Sequence, residues 1–295
     1  MKMWYSQPRL GELNRAERVQ LEPSGKGINV ARALLRQGVE AISIAPIGGE
    51  FGRIIAERLE PSGLNSLWLP IAGATRCNVK VIDEHGELTE FNAPGPTLSA
   101  EEQDRLGALL LEKAVGGDWV VLSGSLAPGV DAGWYGQMTE RLKPRGVRVF
   151  MDASGAALRG AAEAKPFLLK PNRVEAEELL GHSVAGLNEA LAATRQIQAR
   201  GIPYVVLTLG AEGAVFGSPE ECVAARPPKL KPFSTTGCGD ALLAGVMVGL
   251  LGGWPWPTIA RYATAVAVAR AKTANTEFPA PAEIAACMEG VELVG

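Results

Sequence analysis

The sequence predicts an α/β protein with a mostly parallel central sheet, helices on both faces, and a small β-rich lid beside it. Short apolar runs recur at 41–46, 119–122, 147–151, 167–169 and 204–207. Segments with helical spacing of apolar residues separate the later runs, at 100–115, 134–142, 174–180 and 187–200. Strands without a polar face that alternate with amphipathic helices belong to a sheet covered on both sides. One segment breaks the rhythm: 76–83 alternates, Glu84-His85-Gly86-Glu87 turns the chain, and 88–92 returns. A hairpin with one polar face has no place in a doubly covered sheet, so it is assigned to the lid, with residues 9–22 expected to add to it.

The 295 residues are expected to form a single domain, residues 1–295, with lid segments at about 9–22 and 74–94. Hydrophobic residues make up 47%, charged residues 21%, and the formal net charge is −3, so no general field attracts nucleic acid or an anionic membrane. Anionic ligands must be held by local clusters. Cys77, Cys222, Cys238 and Cys287 are scattered without metal-ligand spacing. Residues 1–10 lack the apolar core of a signal peptide, so free thiols and a cytoplasmic location are expected. The longest apolar stretch, 241–251, is too short to span a bilayer and reads as a buried helix.

Ligands of open parallel sheets bind beyond the carboxyl ends of the strands. After the run at 119–122 comes Ser123-Gly124-Ser125, and after 147–151 comes Asp152-Ala153-Ser154-Gly155. After 167–169 comes Lys170-Pro171-Asn172-Arg173-Val174-Glu175, and after 204–207 comes Thr208-Leu209-Gly210-Ala211-Glu212-Gly213. Each turn alone is ordinary punctuation. Four of them on one edge point to a site.

The sharpest element is Ser234-Thr235-Thr236-Gly237-Cys238-Gly239-Asp240, followed by the apolar run. Gly237 and Gly239 let backbone amides turn inward, and the following helix adds its positive end, making a nest that holds an anion without a lysine. Asp240 falls in the first helical turn, where a carboxylate is expected to stay ionised. The plainer reading, a helix N-terminus capped by Asp240, stands beside the catalytic one. A second cluster is Ser24-Gly25-Lys26-Gly27-Ile28-Asn29. It is not a Walker A loop, because Gly27 follows Lys26 where Ser or Thr is required. No G-x-G-x-x-G lies between a strand and a helix, which removes the main support for a nicotinamide enzyme. Arg76, Asn78 and Lys80 alternate and are expected to share one face, as a phosphate clamp or as a solvated lid surface. His85 and His182 read as surface residues, and Ser123 and Ser125 lack the G-x-S-x-G elbow.

In this order the clusters resemble the PfkB carbohydrate kinases of the ribokinase-like superfamily. One signature appears as Gly25-Lys26-Gly27-Ile28-Asn29-Val30-Ala31-Arg32, running on to Gly48-Gly49, and the other as Thr235-Thr236-Gly237-Cys238-Gly239-Asp240. Within that family, Thr75-Arg76-Cys77-Asn78-Val79-Lys80 and Thr89-Glu90-Phe91-Asn92 are similar to the lid of the bacterial 1-phosphofructokinase subgroup, and less so to that of tagatose-6-phosphate kinases. The resemblance implies a ribokinase-like fold and ATP- and Mg²⁺-dependent transfer of a phosphoryl group to fructose 1-phosphate. It implies Asp240 as catalytic base and the amides of Gly237, Cys238 and Gly239 as anion hole. Lys170, Asn172, Thr208, Gly210, Gly213 and Thr236 would face the nucleotide. Asn172 and Glu175 would position Mg²⁺, largely through water. Gly25, Lys26, Asn29, Arg76, Asn78 and Asp240 would hold the phosphosugar. A homodimer paired through the lid is also implied.

Two departures stand out. The family opens with an apolar strand ending in Asn-Pro-x-x-Asp, whose Asp binds sugar hydroxyls. This sequence starts beyond it, at Met1-Lys2-Met3-Trp4, through a misassigned gene start or a true loss. A non-catalytic sugar-phosphate-binding protein therefore remains an alternative, against which the retained Asp240 argues. Cys238 replaces a small residue, and a thiol at a helix N-terminus is expected to be acidic and readily alkylated.

Overall fold

The structure, a computed structural model, describes residues 1–273 and 277–294. The chain opens with β1 (Lys2–Trp4) and β2 (Arg18–Gln20), followed by α1 (Lys26–Arg36), β3 (Ile42–Ile47), α2 (Gly49–Leu59) and β4 (Asn65–Pro70). The hairpin comes next as β5 (Val79–Ile82) and β6 (Leu88–Phe91). Its turn is closed by the Asp83 carboxylate, which accepts from the amides of His85 (2.9 Å) and Glu87 (2.7 Å).

The lid sheet has the order β2-β1-β5-β6. Its composition differs from expectation: within 9–22 only Arg18–Gln20 is a strand, and the first three-residue strand, Lys2–Trp4, is inserted between β2 and β5. β1 runs antiparallel to β2 and parallel to β5. Lys2 anchors it through an ion pair with Glu22 at 3.0 Å, their side chains 7% and 10% exposed. Arg18 lies over the Trp4 ring at 4.5 Å.

The body begins with α3 (Ala100–Lys113), β7 (Trp119–Ser123), α4 (Trp134–Leu142), β8 (Arg148–Asp152), α5 (Gly155–Glu163) and β9 (Leu168–Leu169). It continues through α6 (Arg173–Leu180), α7 (Gly186–Gln198), β10 (Tyr204–Thr208), β11 (Ala214–Gly217) and β12 (Cys222–Arg226). It ends with α8 (Cys238–Leu251), α9 (Trp256–Ala271), α10 (Pro281–Met288) and β13 (Glu292–Val294). The main sheet has the order β13-β12-β11-β10-β9-β8-β7. β7 to β10 are parallel, as the apolar runs predict, whereas β11, β12 and β13 continue the sheet antiparallel. β3 and β4 form a separate parallel pair, and among the described residues no strand joins that pair to β7.

Helices cover both faces of the sheet, and two cores result. One packs α1, α8, α9 and α10 against Phe150, Leu168, Val206 and Phe216, and the other packs α4, α5, α6 and α7 against Val149, Met151, Leu169, Val205 and Leu207. α8 and α9 approach closely because Gly245 and Gly249 lack side chains. A Cβ there would lie 2.8 Å from Ala263 Cα and 2.6 Å from Ile259 Cγ1. α8 is therefore buried along most of its length, and its N-terminus opens at the carboxyl edge of the parallel strands. No helix among the described residues is long and apolar enough to cross a membrane.

Candidate active site

The site grows from the segments just past β7, β8, β9 and β10, together with the N-termini of α1 and α8. Gly237 caps α8 with φ +78°, a left-handed conformation that glycine adopts without strain. The turn is pinned by the Ser234 hydroxyl, which accepts from the Thr236 amide (3.2 Å), and by the Cys238 amide, which donates to Thr235 O (3.3 Å). The amides of Gly237, Gly239 and Asp240 find no acceptor among the described residues, so three donors stand unpaired at the positive end of the helix dipole.

Asp240 is 6% exposed, and its Oδ2 accepts from Asn29 Nδ2 at 2.7 Å. Burial, with the nearby Asp152 charge, pushes its pKa up to about 6. Desolvation outweighs the helix dipole, which by itself favours the ionised form. Asp240 still carries its charge at neutral pH, and it accepts a proton far more readily than an ordinary carboxylate.

Behind the nest sits an ionic knot that the sequence alone does not reveal. Asp152, at the end of β8 and 1% exposed, takes Lys26 Nζ at 2.8 Å on Oδ1 and Lys170 Nζ at 3.1 Å on Oδ2. The second contact is an ion pair without hydrogen-bond alignment. Burial pushes the Asp152 carboxyl up, but the two ammonium groups outweigh it and hold the pKa below the ordinary value. Lys170 also lies against the nest, its Nζ 3.4 Å from where a Cβ on Gly239 would stand. The nest, which can hold an anion by its amides alone, thus has a lysine at its side. The only signal for Asp152 is its place directly after an apolar run.

Asn172 and Glu175 open α6 with a reciprocal capping box. Asn172 Oδ1 accepts from the Glu175 amide (2.9 Å), and Glu175 Oε2 accepts from the Asn172 amide (2.8 Å). Asn172 bridges to Thr208 at the end of β10, which brings the two strand ends together. Glu175 is 7% exposed and forms no ion pair among the described residues, and burial raises its pKa. Gly210 takes φ +63° with open space where a Cβ would point. Gly213 is required for another reason: a Cβ there would meet Ala225 O at 2.1 Å.

Arg76, Asn78 and Lys80 do not form one clamp, because β5 begins only at Val79. Arg76 Nη2 donates to Ser125 Oγ (3.1 Å), Asn78 Oδ1 accepts from the Ala93 amide (3.1 Å), and Lys80 Nζ donates to Thr236 Oγ1 (2.7 Å). Arg76, Asn78 and Asn92 face Ser125 and Ser154 across a cavity of about 680 Å³. Nothing in the sequence marks Ser125 beyond its place in a turn. It ties the lid to the body through Arg76, and Ser123, two residues earlier, stands 3.4 Å from a Cβ position on Gly27. Gly25 is extended (φ 169°) and opens α1 without a side-chain cap. Cys238 is not the acidic thiol expected of a helix N-terminus, because burial pushes its pKa up to about 11.

An anion nest, a buried carboxylate near neutrality and lysines held beside them define a phosphotransferase site at the edge of an α/β sheet. The chain belongs to the pfkB family carbohydrate kinases, whose model matches residues 3–283. It is therefore a kinase with a sugar hydroxyl as acceptor. It is 34% identical to the 1-phosphofructokinase of Rhodobacter capsulatus over 276 residues, covering 93% of this chain and 87% of the relative. It is 35% identical to that of Bacillus subtilis (strain 168) over 243 residues, covering 82% and 78%. The fold matches the crystal structure of phosphofructokinase-2 from Escherichia coli in complex with substrates and products, with a TM-score of 0.92, 28% identity, and coverage of 98% of this chain and 94% of that one.

Proposed function

We propose that this chain is a 1-phosphofructokinase. It would transfer the γ-phosphoryl group of ATP to the free primary hydroxyl of fructose 1-phosphate, giving fructose 1,6-bisphosphate and ADP. The name shared by the relatives supports the substrate. The observation that carries the chemistry is the buried Asp240, its pKa near 6, beside three unpartnered amides at the start of α8. A carboxylate in that setting orients the attacking hydroxyl and accepts its proton as the new P–O bond forms and the bond to the ADP oxygen breaks. The amides of Gly237, Gly239 and Asp240 would draw the charge of the moving group, whereas the Cys238 amide, expected in the anion hole, is engaged by Thr235 O.

Lys170 and Thr236 border the nest and would meet the nucleotide phosphates, with Asn172, Thr208, Gly210 and Gly213 along the next strand ends. Gly25, Lys26 and Asn29 would hold the reacting end of the sugar, and Arg76 and Asn78 its existing phosphate in the cavity beside Ser125. The residues fit Mg²⁺ bound with the nucleotide. Among the described residues Glu175 is a buried carboxylate with no ion pair and no hydrogen bond to its Oε1, while Oε2 and Asn172 Oδ1 are engaged in capping α6. Glu175 would hold the ion through water, and the ion would neutralise charge between the β- and γ-phosphates. The exposed Val19, Leu88 and Phe91 on the lid support pairing with a second copy, for which sedimentation should give a dimer mass.

The test is an ADP-release assay with fructose 1-phosphate, fructose 6-phosphate and tagatose 6-phosphate. Fructose 1-phosphate should be preferred by about tenfold or more in kcat/KM. Preference for tagatose 6-phosphate would move the assignment to that kinase. Phosphosugar-dependent thermal stabilisation without turnover of any of the three would make the chain a binding protein.

A further inference from the structure

We propose that Lys80 is a catalytic cation that the lid delivers to the phosphoryl group in transit. The inference rests on the reading that the α8 nest receives that group, and it assigns a role to a side chain of the lid. Lys80 Nζ donates to Thr236 Oγ1 at 2.7 Å, one residue before the capping Gly237. It also pairs with Glu90 Oε1 at 2.5 Å, directly across the β5–β6 ladder. The Thr236 hydroxyl accepts from Lys80, so its own proton is free to be donated into the nest. The ammonium and this hydroxyl thus stand side by side at the nest's mouth.

Three lysines lie around this nest, beside the buried Arg270 whose Nε is 3.5 Å from a Cβ position on Gly237, and the lysines are held differently. Lys26 and Lys170 share one buried carboxylate, 1% exposed, and moving either would strand a charge away from water. Lys80 is paired with Glu90, the two side chains 16% and 39% exposed, so water replaces Lys80 on Glu90 at less cost than it would replace a lysine on Asp152, 1% exposed. Lys80 is therefore the one of the three that can exchange its carboxylate for a phosphoryl oxygen as charge develops. Its neighbours on the strand approach serve other places: Arg76 reaches Ser125, and Asn78 holds the Ala93 amide. Lys80 would thus act on the transferred group and not on the sugar's own phosphate.

The experiment compares Lys80→Met and Lys80→Arg with wild type. Lys80→Met should lower kcat about a hundredfold, on the scale of losing one oriented transition-state charge. The KM for the phosphosugar should stay within about threefold, and Lys80→Arg should recover to within about tenfold of wild type. Unchanged kcat in Lys80→Met, or a loss confined to the phosphosugar KM, overturns the proposal. A second arm needs no sugar: the thermal shift of Mg²⁺ and ADP with and without fluoroaluminate, a mimic of the phosphoryl group in flight. Wild type should show an added fluoroaluminate shift. Lys80→Met should lose that addition while keeping the shift from ADP, which a merely structural role would not produce. If wild type shows the added shift but turns over no phosphosugar, the substrate assignment fails while Lys80 is still decided by the variant. No added shift in wild type overturns the role of Lys80 whatever the sugar result.

Discussion

On the sheet side of the cleft, Lys26 and Lys170 close on the two oxygens of Asp152, buried at the end of β8. On the lid side, Arg76, just before β5, holds Ser125, and Lys80, on β5, holds Glu90 and Thr236. The sheet side hangs on parallel strands and on α8, which α9 locks in place through Gly245 and Gly249. The lid hangs on strands of three and four residues. One half keeps charges in fixed positions while the other exchanges partners cheaply. Phosphoryl transfer needs both: a field set before the reaction, and contacts that form only once substrate is present.

The largest effect should come from the fixed half. Asp240→Asn should lower kcat by about two to four decades, the scale of a lost general base. The same variant should be more stable at pH 7. A carboxyl whose pKa rises from 3.8 to about 6 on folding disfavours the folded state once ionised, by up to roughly 3 kcal/mol. The sign is that of a raised acid: wild type gains stability from this group as pH falls through 6 towards 4, and urea titration of both proteins should show it. Asp152→Ala strands Lys170 and Lys26 without their shared partner and should cost about 3–5 kcal/mol in the same titration. Because its pKa is depressed in the fold, the contribution of Asp152 is present above the unfolded value and lost as acid protonates it. Gly213→Ala, with φ +107° and the Ala225 carbonyl 2.1 Å from the new Cβ, should cost at least about 2 kcal/mol in thermal melts. Cys238→Ala should leave kcat within about twofold, since the backbone and not the thiol lines the nest. Its buried thiol should alkylate more slowly than an ordinary cysteine at pH 8, and thiol-labelling mass spectrometry would show this.

The same contrast governs what could be read from the residues. The parallel half was legible because a doubly covered strand is apolar throughout and its end is marked by the first polar residue. Ser123, Asp152, Lys170 and Thr208 each stand at or just past a strand end. The α8 turn was legible because two glycines before an apolar helix have few other uses. β1 was not, since three residues carry no period and its partners lie 16 and about 80 residues away. The antiparallel edge from β11 to β13 is not legible in the sequence for a similar reason: its last strand pairs across the whole of α8, α9 and α10. Asp152 was seen only as a turn residue, because its role depends on Lys26, 126 residues distant. The alternation of Arg76, Asn78 and Lys80 suggested one face, but two of the three precede the strand that would have imposed it. The acidity expected of Cys238 follows the helix dipole and burial reverses it, whereas Asp240 stays ionised at neutral pH as expected but with its pKa raised by burial.

That a buried carboxylate at the head of α8 serves as the base is tested most directly by kcat/KM for fructose 1-phosphate as a function of pH at saturating ATP. The rate constant should be level near neutrality and fall tenfold per pH unit below an apparent pKa of about 6, as Asp240 is protonated. A profile that stays level down to about pH 5 would contradict a base with this environment.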